Sequence, residues 1–282
     1  MTGTILTGTV PVEGGHIAYE LTGEGSPLVF LHGGAMDMRM WEPQLALAAD
    51  HTVVRLDARG HGSSSTPTVP FRQCDDVAAA LHGLGIGSAV LVGLSMGAAT
   101  ALDTALEHPA LVTAVVSCGA GASSMAPLDE RMFSDPWSRG RLAALAAAQA
   151  AFDARAWTEA FLELGLVGPY REFSDVAPAV VALCREMISD TLTTHVLHGG
   201  PPPTPSPTPV ADAARRAAKI AVPVLGVVGA IDSPDHVRMV RELVDIVPTG
   251  RLAVIENSGH MPNLDQPDLF NDTLRRFLTA VA

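Results

Sequence analysis

Short apolar runs alternate with longer stretches of helical spacing along most of this chain, and that rhythm restricts the fold more than any other feature. The runs at 27–31, 52–56, 89–94 and 112–117 are too short for helices. They are apolar without alternation, which predicts strands buried on both faces of a sheet. Further runs at 223–229 and 251–255 continue the series. Helical patterns occupy 71–84, 96–107, 236–247 and 266–281, with punctuation such as His108-Pro109 after one and Gln266-Pro267 opening another. Parallel neighbours need a long crossover, which a helix supplies. Two segments at 4–10 and 16–21, about the Gly14-Gly15 pair, read as an antiparallel hairpin leading in. The expectation is an α/β fold with a mostly parallel central sheet flanked by helices.

Residues 121–218 break the rhythm. Alanine-rich helical spacing at 139–166 and 176–190 meets no strand-like run until 222. This predicts a core formed by 1–120 and 219–282, with 121–218 inserted as a helical cap over the C-terminal edge of the sheet. Within the insertion, the proline-rich stretch 199–209 must be extended or irregular, because proline supplies no backbone N–H.

A net charge of −12 disfavours both a phosphate-reading surface and an anionic membrane surface, so neither nucleic acid nor membrane is an expected partner. No apolar run approaches the ~20 residues needed to span a bilayer. The N-terminus lacks the pattern of a signal peptide. Cys74, Cys118 and Cys184 are widely spaced and form no metal or disulfide framework, which suits a reducing, cytoplasmic setting.

The chemistry begins at Gly93-Leu94-Ser95-Met96-Gly97, a G-x-S-x-G between a predicted strand and a predicted helix. A sharp turn there lifts the serine above the sheet, flanking glycines permit close backbone approach, and the helix start places an N–H beside the nucleophile. Leu31-His32-Gly33-Gly34-Ala35 follows the first central strand, so its amides face the same space. Met96 and Gly34 are the expected oxyanion donors, with Ala35 competing for the second place. A serine needs a base held by a third group. Ser258-Gly259-His260 lies after the last strand, where it suits a base, and Asp232 in the exit loop of the preceding strand suits the acid, with Asp235 as its alternative. The order Ser95, Asp232, His260 follows the chain order expected of such a site.

Other conspicuous residues receive quieter readings. Asp57, Arg59 and His61 read as a loop bracing the serine turn, and His32 as a structural hydrogen bonder. Met36 and Trp41 are expected to line or back the substrate site. His195 and His198 are either solvated or in contact with a polar substrate.

Asp57-Ala-Arg59-Gly-His61-Gly-Ser63, the serine and glycine motifs above, and Ser258-Gly-His260-Met-Pro-Asn263 together resemble the α/β-hydrolase superfamily. Met36-Asp-Met-Arg-Met-Trp41-Glu-Pro-Gln44 and Gly93–Gly97 are similar to the group of 3-oxoadipate enol-lactonases, esterases and cofactor-free haloperoxidases. The likeness covers residues 22–120 and 222–281 and does not extend through 121–218. Gly97-Ala98 departs from the glycine pair frequent in the family. The resemblance implies hydrolysis of a small-molecule carboxylic ester or lactone through an acyl-enzyme, without metal or organic cofactor. A non-hydrolytic biosynthetic catalyst and a small-molecule receptor on the same fold are the competing expectations. Oligomeric state stays open at this level.

Overall fold

The computed structural model describes residues 4–123, 134–196 and 205–281. Among these, eight strands form one sheet: β1 (Leu6–Val12), β2 (Gly15–Thr22), β3 (Ser26–Leu31), β4 (His51–Leu56), β5 (Ala89–Leu94), β6 (Val112–Cys118), β7 (Val224–Gly229) and β8 (Gly250–Ile255). Their order is β1-β2-β4-β3-β5-β6-β7-β8. β1 pairs antiparallel with β2 and β2 antiparallel with β4, while every later neighbour is parallel. Burial follows position: every residue of β5 and β7 is buried, whereas the edge strands β1 and β8 hold one buried residue each. Continuous apolar runs thus mark the centre of the sheet, as a strand covered on both faces requires.

The connections explain how a crevice opens. After β3 the chain enters a 3-10 segment, Met38–Ala49, whose Pro43 cannot donate within a regular α-helix. This segment packs on one face with the C-terminal helix, around Trp41, Phe30 and Phe270. Helices α1 (Gln73–Gly83) and α2 (Met96–Glu107) follow β4 and β5 and cover the opposite face through Leu81, Ala101 and Leu102. β3 and β5 are neighbours, yet the chain leaves them towards opposite faces. Such a topological switch point opens a cleft beyond the C-terminal ends of the two strands.

The chain between β6 and β7 is helical through much of its described part: α3 (Pro136–Ala150), α4 (Ala154–Leu162), α5 (Pro178–Thr191) and the single turn α6 (Ala213–Arg216). The stretch expected as one helical run at 139–166 is divided. Phe152 takes a left-handed φ of 54°, and Asp153 caps α4 by accepting from the Ala156 N–H at 2.9 Å. Leu162, Leu166, Cys184 and Met187 join the core cluster that contains Trp41. The chain closes with α7 (Pro234–Ile246), α8 (Pro262–Asp265) and α9 (Pro267–Val281). No helix among the described residues is long and apolar enough to cross a membrane.

Candidate active site

One residue separates β5 from α2. Ser95 makes this turn with φ 53° and ψ −112°, a region costly for a residue with a side chain. Its own backbone bonds offset the cost. The Ser95 N–H donates to Cys118 O at 2.8 Å, and Ser95 O accepts from the amides of Ala98 and Ala99 at 3.0 and 3.1 Å. The glycines on either side are sterically obligatory: a Cβ on Gly93 would lie 2.1 Å from Gly97 O, and one on Gly97 would lie 2.0 Å from Leu31 O. The motif therefore packs strand against helix and helix against β3, leaving the serine at the first turn of α2, where amides and helix dipole favour negative charge.

The loops after β7 and β8 carry the other two groups and are tied together. Ala230 N–H donates to Ile255 O at 2.9 Å and Ile231 N–H to Ser258 O at 3.0 Å. His260 Nδ1 meets Asp232 Oδ2 at 2.9 Å, with both side chains buried. With its Nδ1 proton held by the carboxylate, the neutral imidazole presents Nε2 as its basic nitrogen. Gly119, directly after β6, leaves room for this ring, since a Cβ there would approach His260 Cε1 to 2.6 Å. The adjacent pair Cys118-Gly119 therefore touches the Ser95 backbone through one residue and the His260 ring through the next. Asp235 is engaged elsewhere, accepting from Ser134 N–H at 2.7 Å and from Arg238 at 2.8 Å.

Burial raises the Asp232 carboxyl, but the His236 and His260 imidazoles beside it outweigh that effect and hold it well below the usual carboxylate range. Burial lowers His260, His236 adds to the effect and Asp232 opposes it, so the imidazole lies below its ordinary value. Both shifts favour an ionised carboxylate beside a neutral base.

His236 escaped the sequence reading. It stands four residues beyond Asp232 on the first turn of α7, and its Nδ1 lies 2.9 Å from Asp232 Oδ1. The four-residue separation from an expected triad acid was the available signal. Arg171 was also missed: its guanidinium donates to Asp265 Oδ2 at 2.8 Å, the same oxygen that accepts the Gly259 N–H at 2.9 Å.

On the β3 side, His32 receives the Ala58 N–H on Nε2 at 2.9 Å and donates from Nδ1 to Gly33 O at 2.8 Å. Asp57 accepts the amides of Met38 and Ser63, each at 2.8 Å. Arg59 forms a two-pronged, buried pair with Asp76 at 2.6 and 2.8 Å. These contacts brace the loop. The Ala35 N–H donates to His61 Nε2 at 3.2 Å, whereas a Cβ on Gly34 would meet no described atom within 4 Å. Gly34 therefore borders open space.

Met36 and Trp41 have no exposed surface. Trp41 lies between the rings of Phe30 and Phe270, at centroid distances of 5.1 and 6.1 Å. Both residues back the loop from within the core. His195 is neither solvated nor open to a ligand: its Nε2 donates to Gly62 O at 3.1 Å and its Nδ1 accepts from Thr66 Oγ1 at 2.7 Å. His198 lies outside the described residues. Burial pushes the thiols of Cys74 and Cys184 up to about 12, which makes them poor nucleophiles at neutral pH.

Residues 28–273 match the alpha/beta hydrolase family. The chain is 29% identical over 255 residues to 3-oxoadipate enol-lactonase 2 of Acinetobacter baylyi, covering 86% of this chain and 85% of that relative. It is 34% identical over 99 residues to 2-(acetamidomethylene)succinate hydrolase of Mesorhizobium japonicum, a match spanning 34% of this chain and only 36% of the relative. The solved structure of Est816, an N-acyl homoserine lactone degrading enzyme, superposes with a TM-score of 0.71 at 27% identity, over 96% of this chain and 100% of that one.

Proposed function

We propose, because this chain belongs to the alpha/beta hydrolase family, that it hydrolyses a small carboxylic ester or lactone through an acyl-enzyme on Ser95. Ester and lactone hydrolysis is the reaction to which its relatives point. The observation that carries the finer reading is the 2.9 Å contact of His260 Nδ1 with Asp232 Oδ2, on loops that converge at the strand ends bearing Ser95.

In this reading Ser95 Oγ attacks the carbonyl carbon and its proton passes to His260 Nε2. The displaced electron pair moves to the carbonyl oxygen, which accepts from the Gly34 and Met96 amides, each such donor contributing about 3–4 kcal/mol to the transition state. Collapse breaks the bond to the leaving alkoxide, which takes the proton from His260. In a lactone that alcohol stays tethered to the acyl group. Water then gives a proton to His260 and attacks the acyl carbon, and the proton returns to Ser95 Oγ as the acid departs. Asp232 keeps the imidazole in the required tautomer and stabilises its charged form.

The insertion expected at 121–218, over a core of 1–120 and 219–282, acts as a cap through its described helices within 134–196, whose inner surface selects the substrate, while Val210, Ala213 and Ala217 pack with the core helices. Three polar ties support that division of labour. Arg39 reaches Glu186 and Asp190 on α5 at 2.8 and 2.7 Å, His195 holds the loop at Gly62 and Thr66, and Arg171 pairs with Asp265.

The test is labelling by a fluorophosphonate with mass-spectrometric mapping, alongside turnover of aryl esters, alkyl esters and lactones of graded size. The adduct is expected on Ser95, and Ser95→Ala is expected to lose both adduct and turnover. A purified Ser95→Ala protein that keeps most of its activity would overturn the nucleophile.

A further inference from the structure

The Asp232 carboxylate serves two imidazoles. Oδ2 meets His260 Nδ1 at 2.9 Å, while Oδ1 accepts from the Ser233 N–H at 2.6 Å and from His236 Nδ1 at 2.9 Å. The two rings stack on each other, 4.0 Å between centroids and 22° from parallel, and both are buried. His236 is placed there by its helix: α7 starts at Pro234, and Ser233 Oγ caps the His236 N–H at 3.4 Å.

A carboxylate bonded through one oxygen alone can turn about its Cβ–Cγ bond and carry its partner with it. Donors fixed on Oδ1 remove that freedom and leave Oδ2 aimed at His260. The requirement is demanding, because a misplacement of about 1 Å at a reacting group can cost ~100-fold in rate.

We propose that His236 is a positioning residue of this site: its Nδ1–H, bonded to Asp232 Oδ1 beside the Ser233 N–H, helps set the plane of the carboxylate that orients His260. The proposal rests on the acyl-transfer reading of Ser95, His260 and Asp232. The donor is the operative part of His236, and the stacked ring face is secondary.

Two substitutions separate donor from ring. His236→Asn keeps an N–H one bond beyond Cγ, where Nδ1 sits in histidine, and discards the stack. His236→Phe keeps a ring and discards the donor, and His236→Ala gives the same comparison where the phenyl ring unfolds the chain. Rates are normalised to sites titrated by fluorophosphonate, so that only competent protein is counted. The donor-free variant is expected to lose about 10- to 100-fold in kcat with KM changed less than about 3-fold, and the asparagine variant to stay within about 3-fold of the parent in both. Equal kcat in both variants, whether unchanged or equally reduced, overturns the role of the donor. Phosphonate labelling distinguishes the two levels: an unlabelled parent enzyme overturns the acyl-transfer reading, whereas a labelled enzyme indifferent to both substitutions overturns only His236.

Discussion

The Ala35 amide donates to His61 Nε2 at 3.2 Å, a bond that engages it within the loop and favours Gly34 as the donor to a substrate. His61 Nδ1 in turn donates to Arg59 O at 3.0 Å, so the imidazole is held as a neutral acceptor facing Ala35. Gly34 is left as the residue of the loop whose added Cβ would point into open space. Adding a methyl group there should leave the fold intact, since it meets no described atom within 4 Å, but should crowd the position of the carbonyl oxygen. Gly34→Ala is expected to keep the parental Tm and to lose about 10- to 100-fold in kcat. Thermal unfolding and steady-state kinetics on the same preparation check both halves. A fall in Tm with unchanged kcat would contradict the assignment.

The two aspartates that sequence left in competition have separate partners. Asp232 contacts His260 and His236, and Asp235 serves Ser134 and Arg238. Asp232→Asn removes the carboxylate that fixes the imidazole tautomer and should reduce kcat by about 10⁴-fold. Asp235→Asn should leave kcat within about 3-fold while loosening the start of α7, because it acts on no reacting group. Kinetics of the two purified variants settles which aspartate is the acid.

Legibility in the sequence divides along a physical line. Ser95, Asp232 and His260 stood out as candidates because each follows a strand within a few residues, and strand ends follow from apolar runs. The elbow glycines were legible for the same reason: backbone approach of 2.0–2.1 Å at an added Cβ leaves only one residue type possible. The contacts of Arg171 with Asp265 and of His195 with Gly62 and Thr66 join segments far apart in sequence, and no local pattern announces such meetings, whereas the four-residue step from Asp232 to His236 is local. At Trp41 the sequence left lining and backing the site as open alternatives. An aromatic residue near a candidate loop invites a ligand reading, yet its surroundings of Phe30 and Phe270 make it core. The division of 139–166 at Phe152 was hidden because alanine-rich spacing continues unbroken through the turn.

Arg171 and Asp265 form a nearly enclosed pair, with side chains 7% and 4% exposed, and the same carboxylate oxygen holds the Gly259 amide next to His260. Removing one partner leaves an uncompensated buried charge. Arg171→Met is therefore expected to destabilise the fold by about 3 kcal/mol. Replacing both by apolar residues of similar volume should recover much of that loss, because the pair has already given up its hydration. Urea unfolding of the single and double variants measures the difference, and a double variant no more stable than the single one would show that the pair is not the cause.

His61 provides a stability readout that is independent of turnover. Burial, reinforced by the neighbouring His32, pushes this imidazole down to about 3, whereas in the unfolded chain it titrates near ~6.5. Between those values the unfolded state binds the extra proton and the folded state does not, so stability falls as pH falls, by up to about 1.4 kcal/mol per pH unit. Above ~6.5 both states are neutral at this position and the contribution is flat. His61→Gln preserves an acceptor for the Ala35 amide and removes the titration. Between about pH 7 and about pH 5 the parent should therefore lose about 1–2 kcal/mol more than His61→Gln, the difference cancelling the groups both proteins share. Urea unfolding at the two pH values, with both proteins in one buffer series, supplies the comparison. Parallel stability curves would mean that His61 takes up its proton in the folded protein and that its bond to Ala35 does not hold it neutral.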